Sequence, residues 1–220
     1  MFEKLMHQLK MLAVVPTPFD PSRFADPVAL QTAWTPACRG GTNIRTHKLI
    51  KAGPNRIEFR ASFGALVFYL VFLLPGLGMV IAFFVMLLSA EEFDAGTFVF
   101  LFLGLLFAGV GGYLLNAGIK PIVFERARGM FWKGLKGPDE AFSRTAVAPF
   151  TRLKDVHALQ LISEYCSGKS SFYSYELNLV LKNGERINVI DHGDKSVIQK
   201  DAETLAAFLG KPLWDATTNA

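Results

Sequence analysis

The sequence predicts an α-helical membrane hairpin joined to a mainly-β domain of the α+β class. Three observations lead there. Residues 61–90 and 95–119 contain no charged side chain, and each run exceeds the roughly 20 apolar residues that cross about 30 Å of hydrocarbon. Short segments of alternating apolar and polar residues, bounded by Gly, Pro and Asn, flank these runs in the manner of half-buried strands. Near the end of the chain, Ile198, Ala202, Leu205 and Leu209 follow helical spacing, with Gly210 and Pro212 as a stop signal.

With 220 residues, the chain has room for one domain of modest size beside the hairpin. Its 51% hydrophobic content comes mainly from the two runs. Buried globular helices are a poor account of two such runs, each bounded by charge. Met11-Leu12-Ala13-Val14-Val15 before Pro16 is shorter than the roughly 7–15 apolar residues of a signal-peptide core, so the first run is also expected to act as the insertion signal. Residues 1–62 carry nine Lys or Arg against four Asp or Glu. The turn between the runs holds Glu91, Glu92 and Asp94 without a base, and Lys120, Arg126, Arg128, Lys133 and Lys136 follow the second run. Basic residues collect on the cytoplasmic side, which predicts an inner-membrane protein with both termini cytoplasmic and a small acidic turn outside. That asymmetry also accounts for the pI of about 9.1, and no nucleic-acid partner is expected. Cys38 and Cys166 fall on the predicted cytoplasmic side, where thiols stay reduced.

Residues 1–43 read as an irregular segment broken by five prolines, with an amphipathic helix over 2–12 as its one regular element. Strands are predicted at 47–51 and 56–60 around Gly53-Pro54-Asn55, within a first domain piece at 44–61. Membrane helices follow at 62–90 and 95–119, the first interrupted by Pro75-Gly76, where a kink is expected. In the second, Gly104, Ala108 and Gly112 form a small-residue stripe, read either as packing within the hairpin or as a homo-oligomer contact between chains. The rest of the domain occupies 120–215. Strands are predicted there at 122–126, 130–133, 153–162, 173–181 and 186–190, the last two joined through Asn183-Gly184, a strong hairpin signal. A terminal helix spans 195–209, with a capping box from Ser196 and Gln199 and Trp214 packing back on the domain.

Seven strands and a C-terminal helix, with the membrane hairpin between strands two and three, resemble a bacterial pleckstrin-homology-like (PH-like) membrane protein. Pro121-Ile122-Val123-Phe124-Glu125-Arg126 through Met130-Phe131-Trp132 carries the closest local resemblance, together with Leu153-Lys154-Asp155-Val156. It covers about 45–61 and 120–210 and implies a seven-stranded barrel or sandwich, split here by the hairpin. It also implies binding or assembly rather than catalysis, and supplies no catalytic residues to carry over.

Chemistry-bearing patterns are sparse. Gly168-Lys169-Ser170 lacks the upstream Gly and following helix of a phosphate loop. Asp191-His192-Gly193-Asp194 reads first as a strand-to-helix turn. Cys166 with His157 lacks a third partner. No catalytic, metal or cofactor site is expected. Two surfaces remain. Arg56, Arg60, Lys120, Arg126, Arg128, Lys133 and Lys136 form a candidate basic patch facing lipid, each charge worth about 1 kcal/mol near an anionic leaflet; positive-inside bias alone is the competing account. Tyr165, Phe172, Tyr173 and Tyr175 form a candidate protein-partner patch, with core packing as the alternative. Expected function is non-enzymatic: a membrane-anchored binding or scaffold protein recognising a protein partner or anionic headgroups. An immunity- or stress-type protein neutralising one cognate protein is the alternative, and a membrane-proximal enzyme is least supported.

Overall fold

The computed structural model describes residues 19–37, 40–89, 94–137, 150–167 and 171–217. The chain is mixed α+β, with two sheets and two helices long and apolar enough to cross a membrane. The helix expected over 2–12, Cys38, the acidic pair Glu91-Glu92 and the Gly168-Lys169-Ser170 tip lie outside the described residues.

The first sheet is antiparallel, in the order β1 (His47–Gly53), β2 (Arg56–Ala61), β3 (Ile122–Glu125), β4 (Met130–Lys133) and β5 (Phe150–Arg152). The second contains β6 (Val156–Cys166), β7 (Phe172–Leu181), β8 (Arg186–His192) and β9 (Leu213–Asp215), ordered β8-β7-β6-β9, with β9 parallel to β6. Among the described residues nine strands therefore stand where seven were expected. The extra two are three-residue pieces at 150–152 and 213–215, too short to show a period of two.

The sheets face one another across a single core. Ile57, Phe59, Phe124 and Phe131 of the first sheet meet Leu159, Leu161, Leu177 and Leu179 of the second. Helix α4 (Lys195–Leu209) contributes Ile198, Ala202 and Leu205 to the same core. Full burial of each Ile, Leu or Phe side chain among these contributes about 1.5–3 kcal/mol. Asp194, not Ser196, caps α4: its carboxylate accepts the Val197 N–H at 3.1 Å and the Ser196 hydroxyl at 2.8 Å. Gln199 instead reaches Asp215 at 2.9 Å. Gly210 ends the helix in the left-handed region at φ +63°, a conformation glycine adopts without penalty.

Residues 19–37 are more ordered than their prolines imply. Asp26 caps the short helix α1 (Pro27–Gln31), and Phe24, Val28 and Trp34 pack with Trp214, Ala158 and Val180 as a second, smaller core on the outer face of the second sheet.

Between β2 and β3 the chain makes helices α2 (Phe63–Leu88) and α3 (Ala95–Gly118). At 1.5 Å per residue they run about 39 Å and 36 Å. Ser62 caps α2: its hydroxyl accepts from Ala65 N–H at 3.1 Å and donates to Arg45 O at 2.7 Å. Asp94 caps α3 by accepting Thr97 N–H at 2.8 Å. Helix α2 continues through Pro75. The helices meet at small residues: a Cβ at Gly76 would strike the Ala108 backbone, one at Gly111 the Leu73 backbone, and one at Gly118 the Tyr69 ring. Gly104 and Ala108 of the expected stripe thus serve packing within the hairpin, whereas Gly112 sits at its margin, where an added Cβ would lie 4.0 Å from the Leu73 side chain. The seven-residue spacing of Gly104, Gly111 and Gly118 tracks the contact line.

Candidate functional site

The strand register divides the basic patch. Arg56 pairs with Glu125, and Ile122 pairs with Lys133, so β3 separates the two groups by roughly 10 Å. Arg56, Arg126 and Arg128 lie at the end away from the helices, Lys120 and Lys133 at the helix end. Arg56 donates from Nε and Nη2 to Glu58 at 3.0 and 2.9 Å, and its Nη1 lies 3.6 Å from Glu125. Arg60 flanks Glu58 from the other side. Glu58 is only 1% exposed, and a buried carboxylate needs such partners. Arg56 also stacks on Trp132 and Arg126 on Phe208, while Arg128 reaches Glu125 at 4.0 Å. Each of these arginines thus has a partner within the domain. Lys136 is exposed just beyond β4.

The lysines at the helix end open onto a cavity of about 460 Å³, also lined by Thr42, His47, Ala117, Asn188 and Asp191. This falls within the range of small-ligand sites. Each wall has a local cause. Ala117 and Lys120 come from the end of α3 and the step into β3. Lys133 is the last residue of β4. Asn188 and Asp191 belong to β8, the edge of the second sheet, where register passes from Leu177↔Ile190 to Asn178↔Asn188. Val189 is therefore an extra residue, and such a bulge re-aims neighbouring side chains.

A polar chain crosses the cavity wall. Lys133 Nζ donates to Asn188 Oδ1 at 3.4 Å, and Asn188 Nδ2 donates to Asp191 Oδ1 at 3.2 Å. Burial raises the Asp191 carboxyl above its ordinary value, and the Glu176 charge adds to this; Asn188 and Lys133 pull the other way. Burial lowers the His47 imidazole, helped by Lys133 and opposed by the carbonyls of Lys120 and Gly118. Lys120 makes no ion pair among the described residues.

The remaining wall is backbone. Residues 33–37 and 40–43 form a strap over the outer face of β6, β7 and β8, held by side chains that pair with its peptide groups. Gln160 donates to Ala33 O at 3.0 Å and Arg186 to Thr35 O at 2.7 Å. Glu176 accepts Ala37 N–H at 2.9 and 3.0 Å, Glu164 accepts Gly41 N–H at 3.3 Å, and Ser174 accepts Thr42 N–H at 2.9 Å. Sequence reading missed this strap and the cavity it borders. The available signal was the run Ser174, Glu176, Asn178 on one face of β7.

The other candidates disperse. Tyr165 and Tyr173 are 59% and 48% exposed, with rings 5.2 Å apart, whereas Tyr175 packs against the main core and Phe172 is half-buried. His157 and Cys166 lie on one strand roughly 30 Å apart, and His157 Nε2 instead meets Asp26 at 2.7 Å. For Asp26, burial pushes the carboxyl up, but the His157 and Val28 bonds together outweigh it and hold it low. His192 is fully buried, its Nδ1 accepting Asp194 N–H at 2.8 Å, and burial lowers its imidazole. Among the described residues, no three His, Cys, Asp or Glu side chains gather as a metal site. Comparison with protein-family models and with curated proteins finds no match for this chain.

Proposed function

We propose that this protein is an integral membrane binding protein, without catalytic activity, whose two-sheet domain recognises the phosphate of lipid headgroups at the cytoplasmic face of a bacterial inner membrane. Exposure of the hairpin supports the membrane assignment. Only 11% of the most apolar stretch of each helix is buried within the protein, whereas a soluble core helix would be covered. Phe63, Leu74, Ile81, Leu88, Phe98 and Phe102 are all exposed, a surface that water disfavours and hydrocarbon accepts. The excess of Lys and Arg on both flanks supports cytoplasmic termini.

The observation that carries the binding assignment is the cavity of about 460 Å³ at the foot of α3, holding Lys120 and Lys133. Bilayer insertion of α3 would set its mouth at headgroup depth. The experiment is a melting series of the full chain in detergent with short-chain phosphatidylglycerol or with diacylglycerol, which lacks phosphate. Phosphatidylglycerol is expected to raise the melting temperature by several degrees through linkage, and the double substitution Lys120→Ala, Lys133→Ala to remove that rise. Equal response to both lipids would contradict the assignment. The exposed Tyr165–Tyr173 pair favours a second reading, a protein partner at the β6–β7 tip.

A further inference from the structure

The cavity is not uniformly basic. It carries Lys120 and Lys133 on the side of α3 and β4, and the Asp191 carboxylate on the side of β8. Only one Asp191 oxygen is engaged: Oδ1 accepts from Asn188 at 3.2 Å, and Oδ2 accepts no hydrogen bond among the described residues. Asp191 is half-buried and lines the cavity, so its carboxylate has acceptor capacity left for a ligand there. A simple anion would meet the lysines and also this acceptor, a mismatch of the kind binding sites use to reject a wrong ligand. A headgroup with an anion at one end and an ammonium at the other satisfies both walls.

We infer that the cavity selects the ethanolamine-phosphate headgroup, with Lys120 and Lys133 facing the phosphate and Asp191 accepting from the ammonium. The selection rests on the lipid-headgroup reading above and sharpens it to one chemical class. An ethanolamine ammonium presents N–H donors to Oδ2; a choline group has the charge but no donor, and a glycerol headgroup has no charge there. Glu164 and Glu176 lie close enough to raise the Asp191 carboxyl together with its burial, so an arriving cation relieves repulsion as well as gaining a charge-assisted bond. Thr42 and His47 complete the rim with neutral polar groups.

The test measures dissociation constants of the full chain in detergent for short-chain phosphatidylethanolamine, phosphatidylglycerol and phosphatidylcholine, and for free O-phosphoethanolamine. Phosphatidylethanolamine is expected to bind at least about tenfold tighter than the other two lipids, the size of one charge-assisted hydrogen bond. Asp191→Asn is expected to erase that preference, weakening phosphatidylethanolamine binding and, because the acceptor that mismatches an anion is gone, tightening phosphatidylglycerol binding. Equal binding of the three lipids, or a preference surviving in Asp191→Asn, overturns the ethanolamine selection and leaves headgroup binding standing. No binding of any lipid removes both. Free O-phosphoethanolamine binding as tightly as the lipid would overturn the lipid source in favour of a soluble phosphorylated amine. Should Asp191→Asn fail to fold, the ranking of the three lipids by the unaltered chain decides the matter.

Discussion

Gly111 and Gly112 are neighbours in sequence with opposite surroundings. A Cβ at Gly111 would strike the Leu73 backbone, whereas one at Gly112 meets only the Leu73 side chain at 4.0 Å. Alanine favours helix over glycine by about 1 kcal/mol, so the two substitutions separate packing from propensity. Gly111→Ala is expected to lower the melting temperature of the detergent-solubilised chain clearly, because the helices must part by more than the propensity gain offsets. Gly112→Ala is expected to leave it unchanged or slightly raised. Equal effects would contradict the packing described for α2 and α3. The same reasoning explains why the four-residue stripe of Gly104, Ala108 and Gly112 was only partly informative. Spacing of four and spacing of seven both begin at Gly104, and only the position of the facing helix chooses between them.

At the scale of elements, β7 shows what a sequence conceals. Its apolar face, Leu177 and Leu179, was legible as alternation and enters the main core. Its other face, Ser174, Glu176 and Asn178, reads as a solvated face yet is almost wholly buried. The strap covers it, and the strap comes from more than 130 residues earlier in the chain. No local pattern distinguishes a polar side chain awaiting a distant backbone from one awaiting water. Removing Glu176 leaves the Ala37 N–H without its acceptor, a loss of about 1–3 kcal/mol. Glu176→Ala is therefore expected to loosen residues 33–37 and 40–43 and speed tryptic cleavage at Arg45 several-fold, with cleavage beyond β1 unaffected. Unchanged cleavage at Arg45 would show that the strap is held by other contacts.

Across the whole molecule, the apolar helices and the terminal helix over 195–209 were legible because each follows from an uninterrupted local pattern. The strands β5 and β9 were not, being three residues each. The cavity was illegible for a different reason: its walls come from residues 40–42, 46–47, 117, 120, 122, 133 and 188–191, which the pairing of β3 with β4 and the bulge at Val189 help bring together. The basic residues counted together in sequence divide accordingly, with Arg56, Arg60 and Arg128 answering Glu58 and Glu125 and the two lysines facing the cavity. The most direct measurement of the central claim is native mass spectrometry of the full chain extracted from cells in mild detergent. A single bound phospholipid per chain, lost in the Lys120→Ala, Lys133→Ala variant and retained in Arg126→Ala, is the expected result. A chain that emerges without lipid, or a double variant that keeps it, would contradict recognition of headgroups by this cavity.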